Sequence, residues 1–274
     1  MISTKAKKVN LDGFRELGIF IAFLIIVGLL ALFSPPGFRS PRNMLNIVKQ
    51  ASINGILATG MMYVIITGGI DLSVGSIAAL SGVVAAHFAH PDEYPLIIPI
   101  LLPVMIGTAI GLLNGIGVTY GSIPPFIVTL GSMTIVRGLA LIVSNGQPVF
   151  NVSKPFESIA GAFVFETIPV LVIYYIIVTL IFGFILSRTV FGRHVYMVGG
   201  NEIAAKVSGI DTFKVKIAVY AISGFLAGIA GVLLTSRTVS GNPTAAQSYE
   251  MDAITAVIIG GVSMSGGSGK WYGT

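Results

Sequence analysis

The sequence predicts an all-α polytopic membrane protein, a multi-helix bundle in which some helices are broken at glycines. Three observations predict it. Only 10% of the 274 residues are charged while 54% are hydrophobic, and the mean hydropathy is +0.91. A soluble domain carries about 25% charged residues, so much of this surface must face lipid. The apolar residues gather into runs, set against the roughly 20 residues that cross a bilayer. Glycine is abundant, 34 residues, which weakens soluble helices but lets membrane helices approach closely.

The first run, Leu17 to Phe33, follows Lys5, Lys7, Lys8 and Arg15. No small-residue cleavage site comes after it. The chain reads Ser34-Pro35-Pro36-Gly37, and the run is long enough to span, so it is expected to be a membrane helix rather than a cleaved signal. Further runs at about 47–67, 72–89, 95–118, 125–143, 168–187, 215–235 and 252–264 give eight expected segments. The fifth carries Arg137. Turn chemistry separates them at Pro91-Asp92-Glu93, at Gly121-Ser122-Ile123-Pro124-Pro125 and at Asn145-Gly146-Gln147-Pro148.

With the N-terminus inside, alternation places Lys5, Lys7, Lys8, Arg15, Arg188, Arg193, Lys206, Lys214, Lys216 and Lys270 on the inner side, and Arg39, Arg42, Lys49, Lys154 and Arg237 outside. Ten against five obeys the positive-inside rule, which supports this orientation. The longest charged inner loop is then 188–214, and the longest outer stretch, 144–167, is mostly polar or small. The formal charge of +5 reads as topology control, so no nucleic-acid partner is expected.

Val64-Ile65-Ile66-Thr67-Gly68-Gly69-Ile70-Asp71-Leu72-Ser73-Val74-Gly75 resembles Val257-Ile258-Ile259-Gly260-Gly261-Val262-Ser263-Met264-Ser265-Gly266-Gly267, with one gap. Glycine-interrupted helices in corresponding places of two halves mark the substrate path in many transporters. Chance similarity between segments rich in Gly, Ile and Val is the alternative. The final stretch, Gly266 to Thr274, has the character of the start of another helix, and the chain is expected to be C-terminally truncated.

Two places carry functional expectations. At Gly68-Gly69-Ile70-Asp71-Leu72-Ser73-Val74-Gly75 the paired glycines disfavour a continuous helix, and Asp71 is placed to cap the next one. Asp71 and Ser73 are also expected to line a polar path and exchange hydrogen bonds with solute hydroxyls. The two roles are compatible. In the inner loop, Asn201 is a good N-cap and Gly209 a good terminator, so Glu202, Ala204 and Ala205 are expected on a short helix. The Ala204-Ala205 pair would leave one side flat for docking into a partner's groove. An interfacial helix is the alternative, but the segment lacks the aromatic or leucine face that membrane anchoring uses.

Ala204-Ala205-Lys206-Val207-Ser208-Gly209 resembles the Ala-Ala-x-x-x-Gly core of the coupling loop in bacterial ATP-binding-cassette (ABC) importer permeases. Glu202 lies one place earlier than that pattern's glutamate, whose position Ile203 fills. Gly69 to Gly75, Gly192-Arg193-His194-Val195-Tyr196, Asn242-Pro243-Thr244 and Tyr249 to Ile254 are similar to the ribose or monosaccharide branch of the family. The similarity runs from about residue 38 to the end.

With the N-terminus inside, residues 1–16 are expected as a cytoplasmic N-terminal segment and 17–274 as a transmembrane permease domain; the resemblance makes 188–214 its coupling loop and implies a bacterial inner-membrane location. It implies the import of a sugar driven by partner ABC ATPase subunits that bind ATP and Mg, with no cofactor and no catalysis in this chain. A second permease copy or homologue and an extracytoplasmic solute-binding protein complete the expected partners, besides membrane lipid.

Isolated charges inside a membrane are costly, so Arg137 is hypothesised to pair with Glu250 or Asp252. Asn114 and Gln50 are polar intrusions whose expected role is helix–helix hydrogen bonding, with Asn114 also a candidate for the path. With no cysteine, and only His87, His90 and His194 as histidines, neither a disulfide nor a metal site is expected. Gly269-Lys270 lacks the spacing of a phosphate-binding loop. Rival readings are a permease for a branched-chain amino acid or sugar-like signal molecule, an ion-coupled secondary transporter, and a membrane scaffold.

Overall fold

The structure, a computed structural model, describes residues 11–91 and 93–274. Lys5, Lys7, Lys8 and Asp92, and most of the expected segment 1–16, lie outside the described residues. The chain falls into two units, Met1–Ile47 and Val48–Thr274. The first contains helix α1 (Leu11–Phe33), a short 3-10 turn (Pro36–Arg39) and the first turns of α2 (Pro41–Ile66). Ser40 starts α2: its Oγ accepts from the Asn43 N–H at 3.2 Å and donates to the Gly37 carbonyl at 2.7 Å.

The second unit holds the rest of α2 and then α3 (Val74–Phe88), α4 (Ile98–Thr119), α5 (Pro125–Val143), α6 (Lys154–Gly161), α7 (Val170–Arg188), α8 (Val190–Gly200), α9 (Glu202–Val207), α10 (Thr212–Thr238) and α11 (Tyr249–Ile259). A two-residue antiparallel pair, β1 (Phe163–Val164) and β2 (Ile168–Pro169), precedes α7. Each apolar run of the sequence contains a helix, the last of them only in part. By length and composition, α4, α5, α7 and α10 are long and apolar enough to cross a membrane, while Phe23–Phe33 and α3 are shorter apolar helices.

Helix α10 is the axis of this unit. It packs on α3 and α4 through glycines, because a helix with no Cβ at the crossing lets two backbones touch. Gly107, Gly111 and Gly115 recur every fourth residue on α4, and Gly224 and Gly228 do so on α10. A Cβ on Gly107 would lie 2.5 Å from the Gly224 carbonyl oxygen, and one on Gly111 would overlap the Tyr220 carbonyl. Apolar side chains on the outer faces of α5 and α7, such as Phe126, Ile135, Ile142, Leu180 and Phe184, are more than half exposed. That is the surface a bilayer covers.

Two expectations change. The run at 252–264 forms an 11-residue helix that stops at Ile259, because Gly261 turns to φ +90° and ends it. In front of α11 the backbone is irregular. Gly241 lies against Gly82 and Ala86 of α3, and Ala246 lies against Gly75 at its other end. The chain therefore returns beside α3 in turns before becoming helical. The stretch 144–167 contains a helix, α6, and the loop 188–214 contains α8 in addition to the expected short helix. The first turn of α8 is nucleated by Thr189, whose Oγ1 accepts from the Gly192 N–H at 3.2 Å.

Candidate functional site

Helix α2 stops at Ile66, two residues before Gly68, which adopts φ +79°. Its N–H donates to Ile65 O at 2.9 Å, and the Gly69 N–H reaches back to Val64 O at 3.0 Å. These two bonds form a Schellman cap, and its left-handed residue is where glycine carries no Cβ penalty. The related segment ends α11 in the same way: Gly261 N–H to Ile258 O at 3.0 Å and Val262 N–H to Val257 O at 3.2 Å. The two similar stretches therefore share a local structure as well as a sequence pattern. They also meet, since the Gly267 N–H donates to Ile66 O at 2.9 Å.

Between α2 and α3 the chain is pinned by Asp71. Its Oδ1 accepts from the Ser73 N–H at 3.0 Å and from Ser73 Oγ at 2.6 Å. Its Oδ2 accepts from Ser223 Oγ of α10 at 2.7 Å. Asn114 Nδ2 of α4 donates to Ser73 Oγ at 2.9 Å, and the Tyr220 hydroxyl donates to Ile70 O at 3.2 Å. Asp71 and Ser73 are wholly buried and Asn114 nearly so.

Asp71 does not cap α3 as expected. Ser73 is the N-cap residue, without a side-chain cap bond, and Asp71 closes a turn two residues upstream. No cation among the described residues forms an ion pair with Asp71. Three hydrogen bonds from neutral donors satisfy it, which a buried carboxylate requires. The cluster ties the break between α2 and α3 to α4 and α10. Gly68 and Gly69 lie at the surface of a separate cavity of about 220 Å³, with Pro124, Phe126 and Met264 among its other walls.

Asp71→Leu is therefore expected to strand the Ser73 N–H and the Ser223 hydroxyl. The cost is about 1–3 kcal/mol per stranded group, read as a lower melting temperature in detergent. Asp71→Asn keeps an acceptor for Ser73 and should lose less.

Around 201–209 the local reading holds to the residue. Asn201 caps α9, its Oδ1 accepting from the Ala204 N–H at 2.9 Å. Gly209 ends it at φ +85°, with Gly209 N–H to Lys206 O at 3.1 Å and Ile210 N–H to Ala205 O at 3.1 Å. Glu202 is held by Lys216 Nζ of α10 at 2.6 Å. The faces differ from the expectation. Ala205 is 1% exposed and packs inward, whereas Ile203 is 78% and Val207 84% exposed. The outward side is an aliphatic pair one turn apart, beside Ala204.

Upstream of α9, Gly199 sits against Ile66 and Gly267 so closely that a Cβ there would overlap the Ile66 carbonyl oxygen. The end of α8, the end of α2 and the loop after α11 thus meet in backbone contact.

Arg137 is not brought into an ion pair with Glu250 or Asp252. Its Nη1 donates to the carbonyls of Pro243 at 2.9 Å and Ala245 at 2.8 Å, inside the irregular stretch before α11. Backbone that leaves the helical pattern beside apolar helices needs substitute partners, and the guanidinium supplies them. Asp252 Oδ2 accepts instead from Asn54 Nδ2 at 3.2 Å.

A family model described as branched-chain amino acid transport system / permease component matches residues 43–273. The chain belongs to this permease family. The permease is 42% identical over 275 residues to the ribose import permease protein of Bacillus subtilis, an alignment covering 100% of this chain and 85% of that relative. It is 39% identical over 255 residues to the D-allose transport system permease protein of Escherichia coli, covering 93% and 78%. It is 38% identical over 251 residues to the L-arabinose ABC transporter permease protein of Azospirillum brasilense, covering 91% and 73%. No solved structure matches. The permease is a multi-pass, all-α membrane protein.

Sequence reasoning missed Ser223 and Tyr220 as members of the Asp71 cluster. A serine three residues after a tyrosine, in the apolar middle of a 27-residue helix, was the available signal, but its partner lies 152 positions away.

Proposed function

We propose that the permease is the membrane subunit of an importer that carries a monosaccharide, ribose or a near relative, into the cell. The observation that carries this reading is the 42% identity to a ribose import permease across the whole chain. Allose and arabinose permeases at 39% and 38% support the sugar class more broadly. A partner ATPase binds ATP and Mg and does the hydrolysis, and a solute-binding protein delivers sugar on the outer side. A second copy or a homologue completes the pore. The N-terminus and the loop 188–214 face the cytoplasm, as the distribution of lysine and arginine supports.

In this reading α9 is the coupling helix, and Ile203 and Val207 fill a groove on the ATPase. Two aliphatic side chains so fully in water on one short helix are costly unless a partner covers them. Movement of α9 passes through Gly199 and Gly200 to the Ile66 carbonyl and Gly267. It thereby reaches the α2 terminus and the Asp71 cluster, whose hydrogen bonds hold α2, α3, α4 and α10 in register. Packed backbone contacts of this kind shift as rigid pieces. Gly68, Gly69, Asp71, Ser73 and Asn114 act here as the joint of the moving path.

A second reading, a branched-chain amino acid as solute, is favoured by the description of the matching family model. Reconstitution in proteoliposomes with the ATPase and binding protein separates them. Uptake of radiolabelled D-ribose, D-allose or L-arabinose that requires ATP inside is the expected result. Uptake of leucine but none of the sugars overturns the solute class, and uptake without nucleotide overturns the ATP-driven mechanism.

A further inference from the structure

A second polar region lies apart from the Asp71 cluster. Between α3, α5 and the start of α11 is a cavity of about 600 Å³, whose walls include Ser76, Thr134, Arg137, Gln247, Ser248 and Glu250. Its floor is the irregular backbone that precedes α11. In a membrane, such backbone is tolerated where it is buried in protein or lines a water-filled space.

Ser76 is wholly buried, yet its Oγ has no hydrogen-bond partner. Several helix hydroxyls of this unit return to the carbonyl four residues back, as Ser52, Thr59 and Thr108 do at 2.7–2.8 Å, and Ser81, on the same helix as Ser76, donates to Pro103 O at 3.1 Å. Ser76 does neither, and a buried hydroxyl left unpaired is costly. The Glu250 carboxylate makes no hydrogen bond or ion pair among the described residues, but it feels the charge of the Arg137 guanidinium, which shares its cavity. Arg137 spends Nη1 on two backbone carbonyls, which leaves its other N–H groups for a ligand. Gln247 is exposed and brings both a donor and an acceptor.

An acid and a base that share a cavity largely offset each other's charge, so the site favours neither a simple cation nor a simple anion. It suits a neutral molecule dense in hydroxyls, every one of which both donates and accepts. Charge-assisted bonds from a carboxylate and a guanidinium are stronger than neutral ones and fix orientation. We propose that Ser76, Arg137, Gln247 and Glu250 form a sugar-hydroxyl subsite inside the permease, in which the solute is held during passage and Ser76 finds its missing partner. This rests on the sugar-import reading above and adds the place and the residues of contact.

The test uses the complete importer, permease with ATPase and binding protein, in proteoliposomes. Ser76→Ala is expected to lower D-ribose uptake about three- to tenfold, the loss of one hydrogen bond. Ser76→Thr, which keeps the hydroxyl, is expected to restore most of it. Because the permease has no cysteine, Gln247→Cys introduces a unique thiol in this subunit. Its modification by a small methanethiosulfonate reagent should slow in millimolar D-ribose and not in sodium chloride of equal osmolarity.

Wild-type uptake rate and half-saturation in Ser76→Ala, or thiol modification indifferent to D-ribose, overturns the subsite while leaving sugar import standing. Absence of sugar uptake by the wild-type importer removes the import reading and the subsite with it.

Discussion

Gly224→Leu is expected to yield almost no folded permease. At this position a Cβ would overlap the Gly107 carbonyl oxygen and lie 2.9 Å from Gly111 Cα. The obstacle is backbone on the facing helix, so no rotamer change relieves it. The helices must separate along the whole seam from Gly107 to Gly115, and α10 must also shift on α3, where a Cβ on Gly231 would overlap Ala78 O. Overpacking by a methylene or two in an ordinary core costs about 1–3 kcal/mol, and an obstruction made of backbone stands at or above the top of that range. The measurement is the yield and thermal stability of monodisperse protein in mild detergent.

Gly131→Leu is the matched control. It sits on exposed α5 with nothing within 4 Å of the added Cβ, and leucine is the better helix former. It should leave both quantities unchanged. Equal loss in both variants would mean that the α4–α10 seam is not what the glycines serve.

Ile203→Asp combined with Val207→Asp is expected to abolish ATP-dependent uptake and capture of the ATPase while the permease stays folded. Both side chains are more than three-quarters exposed, so the charges enter water in the free subunit. In the docked state they would be buried against the partner. Anchor residues of this kind are worth about 2 kcal/mol or more each, roughly 30-fold in affinity. Ala205→Trp would also stop transport, but by a different route. Ala205 is packed inside, so the indole would dislodge α9 itself. Comparing the melting temperature of the two variants with their ATPase binding separates a docking face from a supporting one.

Much of the fold was legible because membrane constraints are simple. The apolar runs found their helices, and α5 matched at both ends. The ends of α9 were legible because a cap is local chemistry: Asn201 and Gly209 act on backbone within a turn of themselves. The helix face was not. Ile203, Ala204, Ala205 and Val207 are all apolar, and only the packing of α8 and α10 decides which of them turns inward. Arg137 was visible as a costly charge. Its partners were invisible, because the carbonyls of Pro243 and Ala245 have no signature in the side-chain sequence, whereas Glu250 and Asp252 do. The short α11 shows the same limit, for hydropathy at 252–264 registers burial and not the glycine turn that ends the helix.

The most direct test of ATP-driven coupling places a single thiol on the outward face of α9 as Val207→Cys, in a chain with no other cysteine. In oriented vesicles a membrane-impermeant maleimide should modify it only from the cytoplasmic side, and bound ATPase should shield it. Modification from the opposite side, or at the same rate with and without the ATPase, would contradict the account.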